Sequence, residues 1–241
     1  MLRELKRAVE GSVLETHPHY RTAIGVLGVS LPPLLVLSSV LRRQELQGSI
    51  SAYYFTSARD VFVGILWVIG VFLFFYRYRP RRPELARTQV EPIKTCAADA
   101  WLGKAAGVRA VLVALFPTTP PPASPALPPE IGMVHGVAAA VLFTCLALFP
   151  LVLFSQSRVR GHVYRRYGWV MIALVVSVVV YAFAPDSFRE SIARWKPVLV
   201  LESLLILVFG VSWFDRGLEL AATAREDAAT EGTGAPLARA S

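Results

Sequence analysis

The chain has 241 residues, of which 54% are apolar and 17% charged, and its formal net charge is +8. Ordinary soluble domains carry roughly 25% charged residues, so this composition excludes a disordered chain, a collagen and a disulfide scaffold and favours a membrane protein with several spans. A basic balance raises nucleic acid as a partner, but no basic stretch here carries a nucleic-acid motif, and no nucleic-acid partner is expected.

Six stretches are apolar around most of their circumference and reach about 20 residues, the length that crosses a bilayer as a helix. These predicted spans are 22–41, 58–76, 96–116, 131–154, 167–184 and 197–214. The third is the weakest, because Asp99, Lys104 and Arg109 interrupt it. The predicted fold class is therefore all-α, a polytopic membrane bundle of six transmembrane helices.

The segments outside the spans complete the predicted organisation. Residues 1–21 form an N-terminal segment whose apolar residues recur at roughly helical spacing beside Arg3, Lys6 and Arg7; it fits an interfacial helix and a frayed polar tail equally well. No cleavable signal peptide is expected, because no small-residue cleavage site follows the first span. Residues 22–217 form the transmembrane domain, and residues 218–241 are predicted to be a flexible tail.

Lysine and arginine are distributed unevenly between the two sides of the predicted bundle. One side carries 17 of them, in residues 1–21, 77–94, 158–166 and 216–241, and the other side carries six, in residues 42–59 and 189–196. Basic residues concentrate in cytoplasmic loops. We therefore predict a multi-pass protein of the inner (cytoplasmic) membrane, with both termini in the cytoplasm and membrane lipids as partners.

With this orientation, ionisable residues from four predicted spans fall at one depth. Arg59 and Asp60 open the second span, Arg109 lies about two turns below the outer end of the third, His135 about one turn into the fourth, and Glu202 about one and a half turns into the sixth. Ionisable residues inside a membrane are costly and mark functional sites by default. The sequence therefore predicts a polar site in the outer third of the bundle.

A polar and aromatic segment precedes the second span and is predicted to cover that site. Residues 48–56 are too polar to cross the membrane, and their tyrosines, Tyr53 and Tyr54, suit the aromatic belt at the outer interface. The hydroxyl groups of this segment, including that of Ser51, are expected to face the charged cluster.

Three hypotheses fit this arrangement. In the first, Arg109 pairs with Asp60 and Glu202, with His135 beside them, in a purely structural network that binds the helices together. In the second, the cluster binds a lipid headgroup, a small solute or a proton. In the third, the protein is an intramembrane hydrolase that uses Ser51, His135 and Asp60 as nucleophile, base and orienting group, or a metal held by Asp60, His135 and Glu202.

Several observations weigh against the third hypothesis and against a bound cofactor. A zinc-dependent lipid hydrolase normally offers several histidines, but His135 is the one histidine inside a predicted span. No dinucleotide-binding, phosphate-loop or HExxH motif occurs in the chain. We therefore expect no cofactor, and a metal only as a weak alternative.

Other features of the spans have structural explanations. The Gly103-x-x-x-Gly107 motif of the third span favours close helix packing. Trp213, Asp215 and Arg216, at the end of the sixth span, are predicted to be interfacial anchors, with Asp215 bonded to cytoplasmic arginines.

Four stretches of the chain resemble a group of uncharacterised six-span bacterial membrane proteins that carry a domain of unknown function. They are Ser49–Gly70 (SISAYYFTSARDVFVGILWVIG), Phe116–Thr118 (FPT), Gly132–Gly136 (GMVHG) and Phe209–Trp213 (FGVSW). The resemblance implies a six-helix fold and implies that Arg59, Asp60, His135 and Glu202 are the polar positions of the group. It implies no reaction or substrate. A more distant similarity to the eukaryotic DRAM-like six-span proteins suggests the same fold and adds no site residue.

Overall fold

The computed structural model describes residues 18–76, 93–120, 127–157 and 159–233, and these parts contain seven α-helices and no strand. The helices are α1 Pro18–Leu41, α2 Arg59–Phe74, α3 Ile93–Leu115, α4 Pro129–Leu148, α5 Gly161–Ala182, α6 Asp186–Ile192 and α7 Pro197–Thr233. The predicted all-α class is confirmed.

Six long helices form a closed ring. Going around the ring, α1 packs against α2, α2 against α3, α3 against α4 and α4 against α5. Helix α5 packs against α7, and α7 closes the ring by packing against α1. The short α6 lies in the connection between α5 and α7. Helices α1 and α7 are antiparallel. Gly25, near the start of α1, faces Gly210 of α7. Gly48, beyond the end of α1, lies near the start of α7, where its carbonyl accepts a hydrogen bond from the Leu199 N–H at 3.0 Å.

Glycines allow close contacts between two pairs of helices in the ring. A Cβ atom on Gly25 would lie 2.7 Å from the carbonyl oxygen of Gly210, and one on Gly107 would lie 2.5 Å from that of Gly70. Backbones approach this closely only where side chains are missing, as is typical of helix pairs inside membranes. The close packing predicted for the Gly103–Gly107 motif is thus observed, and the partner is α2.

Four helical stretches are long and apolar enough to cross a membrane, counting only the residues that the structure describes. They are His19–Leu41, Pro129–Gln156, Gly161–Ala182 and Pro197–Thr223. Helix α2 has 16 residues, fewer than a span normally needs, and α3 carries Lys104 and Arg109. Large apolar side chains point outward from the ring, including Met133, Trp169 and Val180. Such a surface suits lipid and would be unfavourable in water.

The two ends of the ring differ in character. At one end, residues 44–58 fold over the helices; we call these residues the cap and this end the cap end. The other end, the base end, holds a cluster of aromatic rings around Trp213, formed by Tyr76, Phe149, Phe154 and Phe209, with ring centroids 5.0–5.8 Å from that of Trp213.

Helix α4 changes its winding at the base end. Phe149–Leu153 form a π-helical turn that contains Pro150, and Phe154–Gln156 form a 3₁₀ turn. Proline has no N–H to donate and disturbs the preceding helical turn, which accounts for the irregular winding here.

Helix α7 extends well beyond the predicted sixth span. It continues through residue 217, the predicted boundary of the transmembrane domain, to Thr233. The Leu, Ala and Glu residues that follow Gly217 are strong helix formers, and they continue the helix without an apolar environment. The predicted tail of residues 218–241 therefore begins as helix. Residues 1–17 of the predicted N-terminal segment and residues 234–241 lie outside the described parts of the chain.

Candidate functional site

The main chain of the cap is held against the start of α7 by three hydrogen bonds. Lys196 Nζ donates to the carbonyl of Leu46, and the Leu199 N–H donates to Gly48. The Ile50 N–H donates to Glu202 Oε2 at 2.7 Å. Three successive points of the cap are therefore fixed to one end of one helix.

Glu202 is the buried carboxylate at this junction. It is 7% exposed, and the N–H of Ser51 faces it beside that of Ile50. These two amides begin the 3₁₀ helix Ser51–Phe55, whose unpaired N–H groups make a positive end that suits an anion. Among the residues that the structure describes, no basic side chain lies within ion-pair distance of Glu202. The groups that face its carboxylate from the cap are therefore main-chain amides.

A small apolar cavity lies beside this junction in the centre of the ring. Its volume is about 30 Å³, and its lining residues come from the cap and from five helices. Ser51 contributes its one polar lining side chain, next to Ile50, while Phe62, Leu142 and Phe209 are among the apolar ones. A volume of this size holds about one water-sized group.

The two tyrosines of the cap have different environments. Tyr53 is fully buried, and its hydroxyl accepts a hydrogen bond from Ser39 at 3.3 Å. Tyr54 is half-buried and accepts a hydrogen bond from Arg59 Nη2 at 2.8 Å, with the guanidinium 4.5 Å from its ring centroid. Tyr53 is thus a core residue rather than a member of an interfacial belt, and Arg59 pairs with the cap.

The ion-pair network predicted around Arg109 does not form. Asp60 is exposed in the first turn of α2, where its charge suits the helix N-terminus. Arg109 is half-buried, and within the described ranges neither Asp60 nor Glu202 lies within 4.0 Å of it. The predicted meeting of these residues is therefore not observed: α3 packs with Gly107 against Gly70, close to Arg109, whereas Asp60 precedes Gly70 by ten residues at the start of α2.

His135 fixes the connection between α3 and α4. It is 4% exposed, and its Nδ1–H donates to the carbonyl of Phe116 at 2.6 Å. Thr119 packs on the same helix start, since a Cβ on Gly132 would lie 2.8 Å from Thr119 Oγ1. The histidine thus satisfies a carbonyl left free at the end of α3.

The predicted catalytic and metal arrangements are not assembled in this conformation. His135 makes no hydrogen bond to Ser51, as judged over the residues that the structure describes, and Asp60 is exposed. Within those same residues, no three His, Cys, Asp or Glu side chains are placed to hold a metal ion. The geometry thus separates Asp60, His135 and Glu202 into three different environments.

The base end holds a buried polar network that was not predicted from the sequence. Arg216 and Glu219 on α7 form an ion pair at 2.8 Å, with their side chains only 9% and 11% exposed. Glu219 also accepts hydrogen bonds from Tyr164, at 2.7 Å, and from Ser157. The available signal was the spacing of Arg216 and Glu219, three residues apart on one helical face.

The predicted anchors at the end of the sixth span behave differently from one another. Asp215 pairs with Arg160 at 3.3 Å and accepts a hydrogen bond from Tyr167 at 3.0 Å, as expected for a carboxylate bonded to nearby arginines. Trp213 is fully buried in the aromatic cluster. The prediction of an interfacial anchor is therefore wrong for Trp213, because the ring packs inward.

The ring of helices, its apolar surface and its buried carboxylate define an all-α integral membrane protein. A family model, described as a protein of unknown function (DUF998), matches residues 26–214. The chain belongs to this family. No curated protein and no solved structure matches the chain.

Proposed function

We propose that the protein crosses the membrane six times with both termini in the cytoplasm, and that it binds a small amphiphile at the cap end. In this proposal α2 and α3 complete the set of spans, and the cap lies in the outer third of the bilayer. The polar end of the ligand meets Glu202 and the Ser51 hydroxyl, and its apolar part enters the central cavity.

The observation that carries the proposal is a buried carboxylate, with no basic side chain paired to it among the described residues, beside an apolar cavity. Glu202 accepts a hydrogen bond from the Ile50 N–H, and its two carboxylate oxygens have further acceptor positions. A ligand ammonium or hydroxyl group would donate to them. The cavity holds about 30 Å³ as described, so a longer chain enters only as the cap moves away from α7.

Two observations favour a binding role over the alternatives. Ser51 and His135 form no hydrogen bond with each other in this conformation, so the nucleophile–base contact of a hydrolase is not assembled. A purely structural network would pair Glu202 with Arg109, and the two are not within ion-pair distance. A main-chain contact that a ligand can replace is a better basis for binding than a completed ion pair.

The proposed orientation is tested by cysteine labelling in a background without the two native cysteines. Ser57, in the cap, and Thr223, on α7, are both exposed. We expect a membrane-impermeant maleimide to label Ser57→Cys in intact cells and to label Thr223→Cys only after the membrane is opened. Labelling of Thr223→Cys in intact cells would contradict the orientation.

Ligand binding is tested with three probes that share one chain and differ in the polar end: oleylamine, oleyl alcohol and oleic acid. Native mass spectrometry of the detergent-solubilised protein would measure the affinity of each. We expect the amine and the alcohol to bind and the acid to be rejected, because a second carboxylate would face Glu202. Glu202→Gln is expected to reduce amine affinity by about ten-fold, which corresponds to about 1.4 kcal/mol, and to remove the discrimination against the acid.

A matched pair of alanine substitutions tests the cavity. Ala139 lines the cavity, whereas its neighbour Ala140 is exposed on the outside of the ring. Ala139→Leu should fill the cavity and abolish binding of the amine and the alcohol, while Ala140→Leu should leave both unchanged. Equal binding by these two variants, or tight binding of oleic acid to the unmodified protein, would refute the proposal.

A further inference from the structure

A second apolar depression lies on the outside of the ring, between α2 and α3. Its volume is about 200 Å³, and its walls include Gly70, Phe74, Gly107 and Val108. We call it the α2–α3 groove. Gly70 and Gly107 have no side chains, so the two backbones come into contact there. The larger side chains on either side extend farther outward and form the walls of the groove.

A positive charge stands one helical turn beyond the groove on the same face of α3. Lys104 precedes Val108 by four residues, and residues at this spacing lie above one another on a helix. Its ammonium lies 5.1 Å from the ring centroid of Trp101, which is 71% exposed. In the part of the chain that the structure describes, no carboxylate pairs with Lys104.

The spacing of these features matches one leaflet of a bilayer. Trp101 and Leu112, a wall residue of the groove, are separated along α3 by about 16 Å at 1.5 Å per residue. Half of a bilayer core is about 15 Å thick. Exposed tryptophan marks the level of the headgroups, so the groove lies at the depth of an acyl chain when Lys104 lies at the depth of a phosphate.

We propose that the α2–α3 groove binds one anionic phospholipid, with an acyl chain along Gly70 and Gly107 and the phosphate on Lys104. An apolar channel with the ammonium of Lys104 at its mouth complements a lipid that carries net negative charge. A zwitterionic lipid gains the same apolar contact, but its own ammonium competes with Lys104 for the phosphate. This site lies on the outer surface of the ring; it rests on the proposal that α2 and α3 cross the membrane, but not on the ligand proposed for the cap end.

The test compares phosphatidylglycerol with phosphatidylcholine of identical acyl chains, each titrated into the detergent-solubilised protein and followed by native mass spectrometry. We expect one phosphatidylglycerol to bind about five-fold more tightly than phosphatidylcholine, the effect of one favourably placed lysine. Lys104→Gln should remove this preference. Val108→Trp should weaken both lipids, because the indole would occupy the groove.

Arg194 provides the matched control. Its guanidinium lies 5.0 Å from the ring centroid of the exposed Trp195, so the pair repeats the chemistry of Lys104 and Trp101 away from the α2–α3 groove. Arg194→Gln should leave the lipid preference unchanged. Val71, an exposed residue of the opposite wall, offers a second filling variant, Val71→Trp, should Val108→Trp fail to fold.

The result that would overturn the proposal is also defined by these variants. Unchanged affinities in Lys104→Gln and in the groove-filling variant would show that the lipid does not bind there. An equal loss of preference in Arg194→Gln would show that the lipid responds only to surface charge.

Discussion

Gly25→Ala is expected to destabilise the protein by about 1–3 kcal/mol or more, the range observed when extra atoms are forced into a packed core. The new Cβ would lie 2.5 Å from Phe214 N and 2.7 Å from the carbonyl oxygen of Gly210. Both contacts are with backbone, which cannot rotate away as a side chain can. Helices α1 and α7 would have to separate, and the ring would open between its first and last helices.

The measurement is the midpoint of thermal unfolding in one detergent, together with the yield of monodisperse protein. Gly136→Ala in α4 is the control, because nothing lies within 4 Å of the Cβ that it would add. Alanine is the better helix former by up to about 1 kcal/mol, so the control should be unchanged or slightly stabilised. A Gly25→Ala protein as stable as this control would mean that α1 and α7 do not pack as described.

Glu219→Ala is expected to have an effect of similar or greater size at the base end. The substitution leaves the buried guanidinium of Arg216 without its carboxylate, and breaking one partner of a buried pair costs about 3–5 kcal/mol. It also removes the acceptor used by Tyr164 and Ser157. We expect a large decrease in the unfolding midpoint, and we expect protease cleavage to increase between α4 and α5, where Ser157 lies.

A second substitution separates the loss of an ion pair from a general loss of packing. In the double variant Arg216→Met, Glu219→Leu, both charges are replaced by apolar groups of similar length, a change that is often neutral for buried pairs. We expect this double variant to regain most of the stability that Glu219→Ala loses. Glu190→Gln, at an exposed position, controls for the removal of a carboxylate. If Glu219→Ala were as stable as Glu190→Gln, the network would not contribute to folding.

The sequence predicted the positions of the helices well, because long apolar stretches leave few alternatives. The predicted span 22–41 begins four residues after the start of α1 and ends with it at Leu41. The predicted span 197–214 begins at Pro197, the first residue of α7. Distance along a helix is equally accessible, since a helix rises about 1.5 Å per residue. Glu202 lies about one and a half turns from the start of α7, and its carboxylate accepts a hydrogen bond from the Ile50 N–H of the cap.

The sequence does not predict in the same way which side of each helix faces the inside of the ring. The three residues that the sequence predicted at one depth differ in exposure: Asp60 is exposed, Arg109 is half-buried and Glu202 is buried. An apolar helix in a membrane has no polar face to indicate which side points inward. Only packing against neighbours decides this, and the packing depends on glycine contacts such as that of Gly25 with Gly210.

The same limit explains Trp213 and the base-end network. A tryptophan near the end of a span suits an interface by composition, but the ring turns inward because Tyr76, Phe149 and Phe154 converge there from other elements. The partners of Glu219 come from the α4–α5 connection and from α5, which are more than 50 residues away in the chain. No local sequence pattern predicts contacts between residues so far apart in the chain.

Helix α7 has a mechanical consequence for the whole molecule. It contains 37 residues, so it is a rod about 55 Å long, nearly twice the thickness of a bilayer core. Glu202 near one end holds the cap, and Glu219, about 25 Å farther along, holds the α4–α5 connection. A stiff rod that is fastened at both places couples a tilt at the cap end to a displacement at the base end. A spectroscopic label on α7 beyond Glu219 would therefore report a movement of the cap from the opposite end of the ring.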